Sequence, residues 1–183
     1  MIALRSEGNK VLGEERRHLI LTWLKESDHP LSGKVLADKT NVSRQVIVQD
    51  VSLLKAKGEP IIATSRGYVY FSEINNAANF TTIIAVCHRS EDTADELYML
   101  VDRGVSVKNV MVEHPIYGDI TGSLMLKNRR DVDAFLHELK SKQASLLSQL
   151  TEGVHLHTIE AETQEQLDEA KAALKAAGYL LEQ

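Results

Sequence analysis

Five of the seven histidines lie beyond residue 80: His88, His114, His137, His155 and His157. His155 and His157 stand two apart in a strand-like run, 154–160, so their side chains project from one face. Two imidazoles side by side are unusual for a plain apolar core. His88 follows a second strand-like run, 81–87, and His114 closes a third, 108–114. Strand ends can gather in space whatever their separation in sequence. Glu96 falls early in the helix expected after His88, with Glu91, Asp92 and Asp95 close by. The helix dipole favours acidic side chains in a first turn, which accounts for Glu91 and Asp92. Glu96 is then the carboxylate that would complete a site with the imidazoles, and Asp95 is the second choice. Three imidazole nitrogens and one carboxylate oxygen suit Zn, Ni, Co or Fe(II), and the donors alone do not choose among them. His137 sits among Asp133, Glu138 and Lys140 and reads as solvated. His114 borders a loop at 115–119 and could support a metal ligand or touch a small molecule.

The elements that must position these residues alternate regularly. Strands are expected at 81–87, 108–114, 120–126 and 154–160. Helices are expected at 92–103, at 129–149 (with room for a break) and at 164–177. The order β-α-β-β-α-β-α suggests helices on one face of a mainly antiparallel sheet, as in ferredoxin-like folds.

The first part of the chain has a different pattern. Residues 1–12 read as an arm. Leu19, Ile20, Trp23 and Leu24 have helical spacing, and Pro30 disfavours helix at the residue before it. Ser32 is a plausible N-cap for a second helix to Thr40. Ser43 caps a third, 44–57, in which Ile47, Val51 and Leu54 share a face, and Gly58 suits its end. Runs at 60–64 and 68–71 flank Ser65-Arg66-Gly67, a hairpin signal. Three helices and a hairpin make the winged helix-turn-helix pattern. The chain is thus expected to be α+β with a winged domain at 1–72 (core about 14–71), a linker at 73–80 and a second domain at 81–183.

Charge follows the same division. Residues 1–71 carry 11 Lys and Arg against 8 Asp and Glu; residues 72–183 carry 10 against 18. The mildly basic part is the candidate for phosphate contact. In a helix-turn-helix the second helix of the motif enters the major groove N-terminus first. Arg44, Gln45, Val48 and Gln49 are its outward residues: Arg suits guanine, Gln adenine and Val a thymine methyl. Ser43 and Lys55 are assigned to phosphate, and Arg66 to the wing contact. A lone cysteine, Cys87, cannot form an internal disulfide. No apolar run approaches the roughly 20 residues of a membrane span, and the N-terminus has no signal-peptide core. A cytoplasmic protein without a membrane partner is expected.

The winged helix, together with Cys87-His88-Arg89, Glu113-His114-Pro115-Ile116-Tyr117-Gly118 and Gly153-Val154-His155-Leu156-His157, resembles the niacin-responsive repressors of bacteria (NiaR/YrxA-type). Their C-terminal part is the three-histidine (3H) domain. The likeness runs from about Glu14 to the end. It implies a homodimer that binds operator DNA and represses genes of NAD synthesis or niacin uptake, with nicotinic acid as co-repressor. It also implies a divalent metal on His88, Glu96, His155 and His157. Arg89 could then pair with the nicotinate carboxylate, and His114 and Tyr117 could contact the ligand. The alternative is a metal-sensing regulator whose effector is the ion itself. A zinc enzyme would need an open coordination position and a nearby base. Glu113 is the candidate for that base, but four protein ligands beside a DNA-binding domain argue against an enzyme.

Overall fold

The computed structural model describes residues 12–71 and 79–181. The chain divides into two compact units, Met1–Glu73 and Ile74–Gln183. The expected arm lies outside the described residues except for Leu12, and the expected linker except for its last two positions.

The N-terminal unit contains α1 (Gly13–Glu26), α2 (Gly33–Thr40), α3 (Arg44–Ala56), β1 (Ile61–Thr64) and β2 (Gly67–Tyr70). Ser32 and Ser43 cap α2 and α3, accepting from the backbone N–H of Val35 and Val46. The three helices bring Ile20, Leu24, Leu36, Ile47, Val51 and Leu54 into one core with Ile61. The wing pairs Ile61 with Tyr70 and Thr64 with Gly67. Leu31 adds a bridge to Tyr68, bonded in both directions at 2.9 Å. Gly67 (φ +140°) makes this possible, because a Cβ there would lie 2.4 Å from the Leu31 carbonyl oxygen.

Two charged residues, Arg16 and Asp50, are buried among the described residues of this unit. Asp50 lies on the inner side of α3, where Arg16 of α1 donates to it at 2.5 Å and Arg17 at 3.2 Å. The two arginines clamp α3, the second helix of the motif, to α1.

The C-terminal unit runs β3 (Phe80–Cys87), α4 (Thr93–Val101), β4 (Ser106–His114), β5 (Gly118–Leu126), α5 (Arg129–Ser141), β6 (Val154–Ala161) and α6 (Gln164–Ala176). The sheet order is β3-β6-β4-β5 and every neighbouring pair is antiparallel. The last strand is thus inserted between the first two, a split β-α-β arrangement. Leu97, Leu100, Val132, Phe135, Leu167 and Leu174 from the three helices join Ile84, Val86, Val107, Leu126 and Ile159 from the strands in one core. Residues 179–181 run along the outer edge of β3, through Cys87 N–H to the Tyr179 carbonyl and Leu181 N–H to the Ala85 carbonyl, both 2.9 Å.

The long helix expected at 129–149 stops at Ser141. Gln143 takes a left-handed conformation (φ 50°). Its N–H bonds to the Lys140 carbonyl, and the Ala144 N–H bonds to that of Leu139. This is a Schellman stop with glutamine where glycine is usual. A separate 3-10 turn, Leu147–Thr151, follows.

Asp50→Ala would leave Arg16 buried without its carboxylate, a loss that costs about 3–5 kcal/mol. That is a large fraction of the 5–15 kcal/mol typical of a whole domain. Urea unfolding of the full chain should show the N-terminal transition at sharply lower urea and the C-terminal transition in place.

Candidate metal centre and nucleic-acid surface

The pleat of two strands delivers three imidazoles to one face. On β6, residues 155, 157, 159 and 161 face the helices; on β3, residues 84 and 86 do, and His88 continues that alternation. Val86 pairs with His155 and Ile84 with His157. The fourth group arrives from above. Along α4 the buried positions are Thr93, Glu96, Leu97, Leu100 and Val101, so Glu96 occupies the apolar stripe. Asp95 is exposed, which decides between the two carboxylates. Glu91 and Asp92 instead pair with Arg89, at 2.7 and 3.4 Å.

The four side chains converge. Glu96 Oε2 lies 2.8 Å from His88 Nε2 and 3.6 Å from His155 Nε2; Glu96 Oε1 lies 3.2 Å from His157 Nε2. His155 stands edge-on between the other two imidazoles, with ring centroids 4.9 and 4.8 Å apart. All four residues are buried.

Each imidazole is held by its other nitrogen. His88 Nδ1 meets the Arg89 carbonyl at 2.8 Å, His155 Nδ1 the Gly153 carbonyl at 2.8 Å, and His157 Nδ1 the Asn109 carbonyl at 2.6 Å. A carbonyl only accepts, so every Nδ1 carries the proton. Neutral imidazoles so fixed present three Nε2 lone pairs to a carboxylate. Only a cation reconciles acceptors that face one another, and it is either extra protons or a metal ion. This is the orientation that histidine ligands take, with the outer N–H tied to a carbonyl. Glu96 Oε1 and His157 Nε2 are buried without an aligned hydrogen-bond partner. His88, Glu96 and His155 offer ligand atoms within 4.8 Å of one another, a group that could hold a metal ion. The donor set fits a borderline transition metal.

Electrostatics match the geometry. Burial alone would lower His88, but the hydrogen bond and charge of Glu96 and the bond to the Arg89 carbonyl raise it above 6.5. Burial is likewise outweighed at His157, chiefly by the Glu96 charge. Burial would raise Glu96, yet the His157 charge and the three imidazoles turned to its carboxylate hold it well below 4.5.

Two positioning residues left no mark in the sequence pattern. Asn109 sits where the β4 register shifts against both β5 and β6. Its carbonyl takes His157, and its side-chain oxygen accepts from Thr158 N–H at 3.0 Å. Gly153 (φ +96°) packs so tightly that a Cβ would lie 2.4 Å from the His88 carbonyl oxygen. Both orient imidazoles through backbone oxygens, which every residue type possesses.

The remaining candidates are elsewhere. His114 Nδ1 accepts from the N–H groups of Ile116 and Tyr117 and its ring lies 4.9 Å from that of Tyr117, at the exposed β4–β5 turn. Neither residue lines the cavity of about 240 Å³ beside His88. Arg89 does, with Ser90, Ser148, Gln149, Glu152 and Gly153. His137 is exposed. In the N-terminal unit Arg44, Gln45, Gln49 and Lys55 are exposed, Val48 is half-buried, and Ser43 is both exposed and the cap of α3. Arg66 is half-buried in the wing turn. The motif thus presents polar groups along the outer side of α3, the chemistry that base edges and phosphates require.

A helix-turn-helix with a wing, joined to a domain that gathers three histidines and a glutamate, defines a transcription regulator. Residues 81–183 match the 3H domain family and residues 16–69 a helix-turn-helix (HTH) domain family. The chain is 50% identical over 177 residues to "Transcription repressor NadR" of Bacillus subtilis (strain 168), covering 96% of this chain and 98% of that protein. It is 37% identical over 174 residues to "Probable transcription repressor NiaR" of Thermotoga maritima, covering 95% and 98%. The chain belongs to the NadR/NiaR-type family of transcription repressors. It is accordingly a repressor rather than an enzyme, and no helix among the described residues is long and apolar enough to cross a membrane.

A carboxyl held low stabilises the fold above its ordinary 4.5 and stops doing so as pH falls through the lowered value. Imidazoles held high stabilise below their ordinary 6.5 and stop as pH rises through the raised values. In chelator, the C-terminal unit should therefore unfold at higher urea at pH 5.5 than at pH 8.5 on account of this cluster. Glu96→Gln should reduce that difference, and saturating metal should reverse it, since metal and protons compete for the imidazoles.

Proposed function

We propose that this chain represses genes of NAD synthesis or niacin uptake, with nicotinic acid as co-repressor and a divalent metal bound by His88, Glu96, His155 and His157. The observation that carries the metal assignment is the common orientation of three imidazoles, each tied by Nδ1 to a carbonyl with Nε2 turned to a buried carboxylate. Nickel, zinc, cobalt and iron(II) are the candidates. When bound, the ion supplies the positive charge that lets four polar groups share a buried space. The names of the relatives support repression, and the resemblance of the histidine motifs to niacin-responsive regulators supports the effector.

On this reading α3 enters the major groove of an operator. Arg44, Gln45, Val48 and Gln49 meet base edges, Ser43 and Lys55 meet phosphates, and Arg66 follows the backbone. A homodimer would present two such helices to half-sites one helical turn, or a multiple of it, apart. Nicotinate raises operator affinity by favouring the protomer arrangement that matches the spacing, an effect of about 5–150-fold for typical coupling. His114, Arg89 and Tyr117 are the proposed ligand contacts, and the position of Arg89 on the cavity beside His88 supports its part in this reading.

The burial of the donor set also supports a second reading, in which the ion itself is the effector. Gel-shift titration on promoter DNA of NAD-synthesis genes separates them. The first reading expects tighter binding with nicotinate at fixed metal; the second expects metal alone to suffice and nicotinate to add nothing. Arg44→Ala should weaken binding by about 1–3 kcal/mol and relax preference at one base position. Equal affinity for matched and altered sites in wild type would remove the groove assignment.

A further inference from the structure

Gly33 opens α2, and its backbone does not call for glycine. It lacks the positive φ of Gly67 and Gly153, and almost any other residue is a better helix former. What glycine leaves at this position is space, and the space is used. A Cβ on Gly33 would lie 3.4 Å from both Cγ and Nε of Arg44 and 3.7 Å from Cε2 of Tyr68. The stem of Arg44 therefore runs along the Gly33 backbone, beside the Tyr68 ring.

The three residues come from three elements, each anchored independently. Ser32 caps α2 one residue before Gly33, and Ser43 caps α3 one residue before Arg44. Tyr68 is tied to Leu31 by two backbone bonds of 2.9 Å and packs against the core of this unit. The wing and the entry to α2 thus form one corner. Backbone geometry sets the slot, independently of the side chain that lies in it.

Arg44 depends on that slot for its direction. Arg16 and Arg17 are held by Asp50, Arg89 by Glu91 and Arg129 by Asp102. Among the described residues no carboxylate holds Arg44, which is exposed. The buried residues of α3 are Ile47, Asp50, Val51 and Leu54. With about 3.6 residues per turn, Arg44 falls on the flank of α3 that meets Gly33 and the wing, while Gln45 and Gln49 occupy the outer side. A long side chain loses rotamer freedom when it binds. A stem already packed has less to lose, so its contact is preorganised.

We propose that Gly33 and Tyr68 are positioning residues for DNA recognition: glycine leaves a slot, tyrosine walls it, and together they aim the Arg44 guanidinium before DNA arrives. The inference rests on the reading that Arg44 meets a base edge. It adds two residues, at the start of α2 and in the wing, that set specificity through Arg44.

The test is fluorescence anisotropy of the full chain at fixed metal and nicotinate. The probes are a labelled duplex from the promoter of an NAD-synthesis gene and a scrambled duplex of the same length. Gly33→Val, which fills the slot, should weaken binding to the promoter duplex by about 2–12-fold, the ordering cost of one long side chain. Binding to the scrambled duplex should not change. Gly33→Ala, whose Cβ only reaches contact distance, should have a smaller effect in the same direction. The thermal midpoint of both variants should hold or rise, since valine and alanine favour helix over glycine. In an Arg44→Ala background Gly33→Val should have no effect. Tyr68→Leu should behave as Gly33→Val does, and Tyr68→Phe as wild type. Without DNA, nuclear Overhauser contacts from the Gly33 α protons to the Arg44 side chain should be present in wild type and weakened in Tyr68→Leu.

Gly33→Val and Arg44→Ala effects that simply add overturn the positioning role and leave the Arg44 contact standing. So does Gly33→Val binding as wild type while Arg44→Ala binds weakly, and so does a loss of affinity that tracks a fall in thermal midpoint. Tyr68→Phe binding as weakly as Tyr68→Leu assigns the loss to the hydroxyl and overturns the part given to the ring. Arg44→Ala that binds as tightly as wild type overturns the groove reading, and this inference with it.

Discussion

A carboxylate inside an apolar core needs a cation, and in the C-terminal unit that requirement organises everything nearby. Burying an unpaired charge is far costlier than any single packing contact repays. Glu96 sits on the stripe of α4 that otherwise carries Leu97, Leu100 and Val101. It is tolerated there only because β6 and the end of β3 bring three imidazoles to the same spot. The imidazoles are in turn tolerated only because carbonyls on three separate segments hold their outer nitrogens. Remove any layer and a buried polar group loses its partner.

The N-terminal unit also buries a carboxylate, and the comparison is instructive. Asp50 is neutralised by Arg16 and Arg17, whose guanidinium groups stay charged at every pH the protein meets. That solution is permanent and suits a clamp between helices. Glu96 is neutralised by groups whose charge is conditional. An imidazole is cationic only when protonated, and otherwise needs a metal to play the part. The first arrangement fixes a shape, whereas the second makes the stability of its surroundings depend on what is bound.

Much of this was legible in the sequence because it follows simple periods. The period of two explains why His155 and His157 share a face, and why His88 continues the inward series of Ile84 and Val86. The helical period places Glu96 inside and leaves Asp95 outside. Ser32 and Ser43 mark helix starts by side-chain chemistry. The illegible parts use features that residue type does not encode. The stop at Gln143 uses a left-handed residue without glycine. The Arg89, Gly153 and Asn109 contributions are carbonyl oxygens, identical in every residue. Asn109 further depends on a register shift in β4, which emerges only when three strands pair. Strand order, with β6 between β3 and β4, depends on long-range pairing that no local window contains.

The four donors differ in how firmly they are held. Glu96 is on a helix, and His155 and His157 are on a strand hydrogen-bonded on both sides. The unbroken β3 ladder fixes both histidines, through Val86 and Ile84. His88 is one residue past the end of β3, outside any regular element. It is therefore the donor whose position is most easily biased, and the cavity lies directly against it. The placement of His88 at a strand end, rather than within the strand, leaves one of the four converging side chains outside the regular ladder.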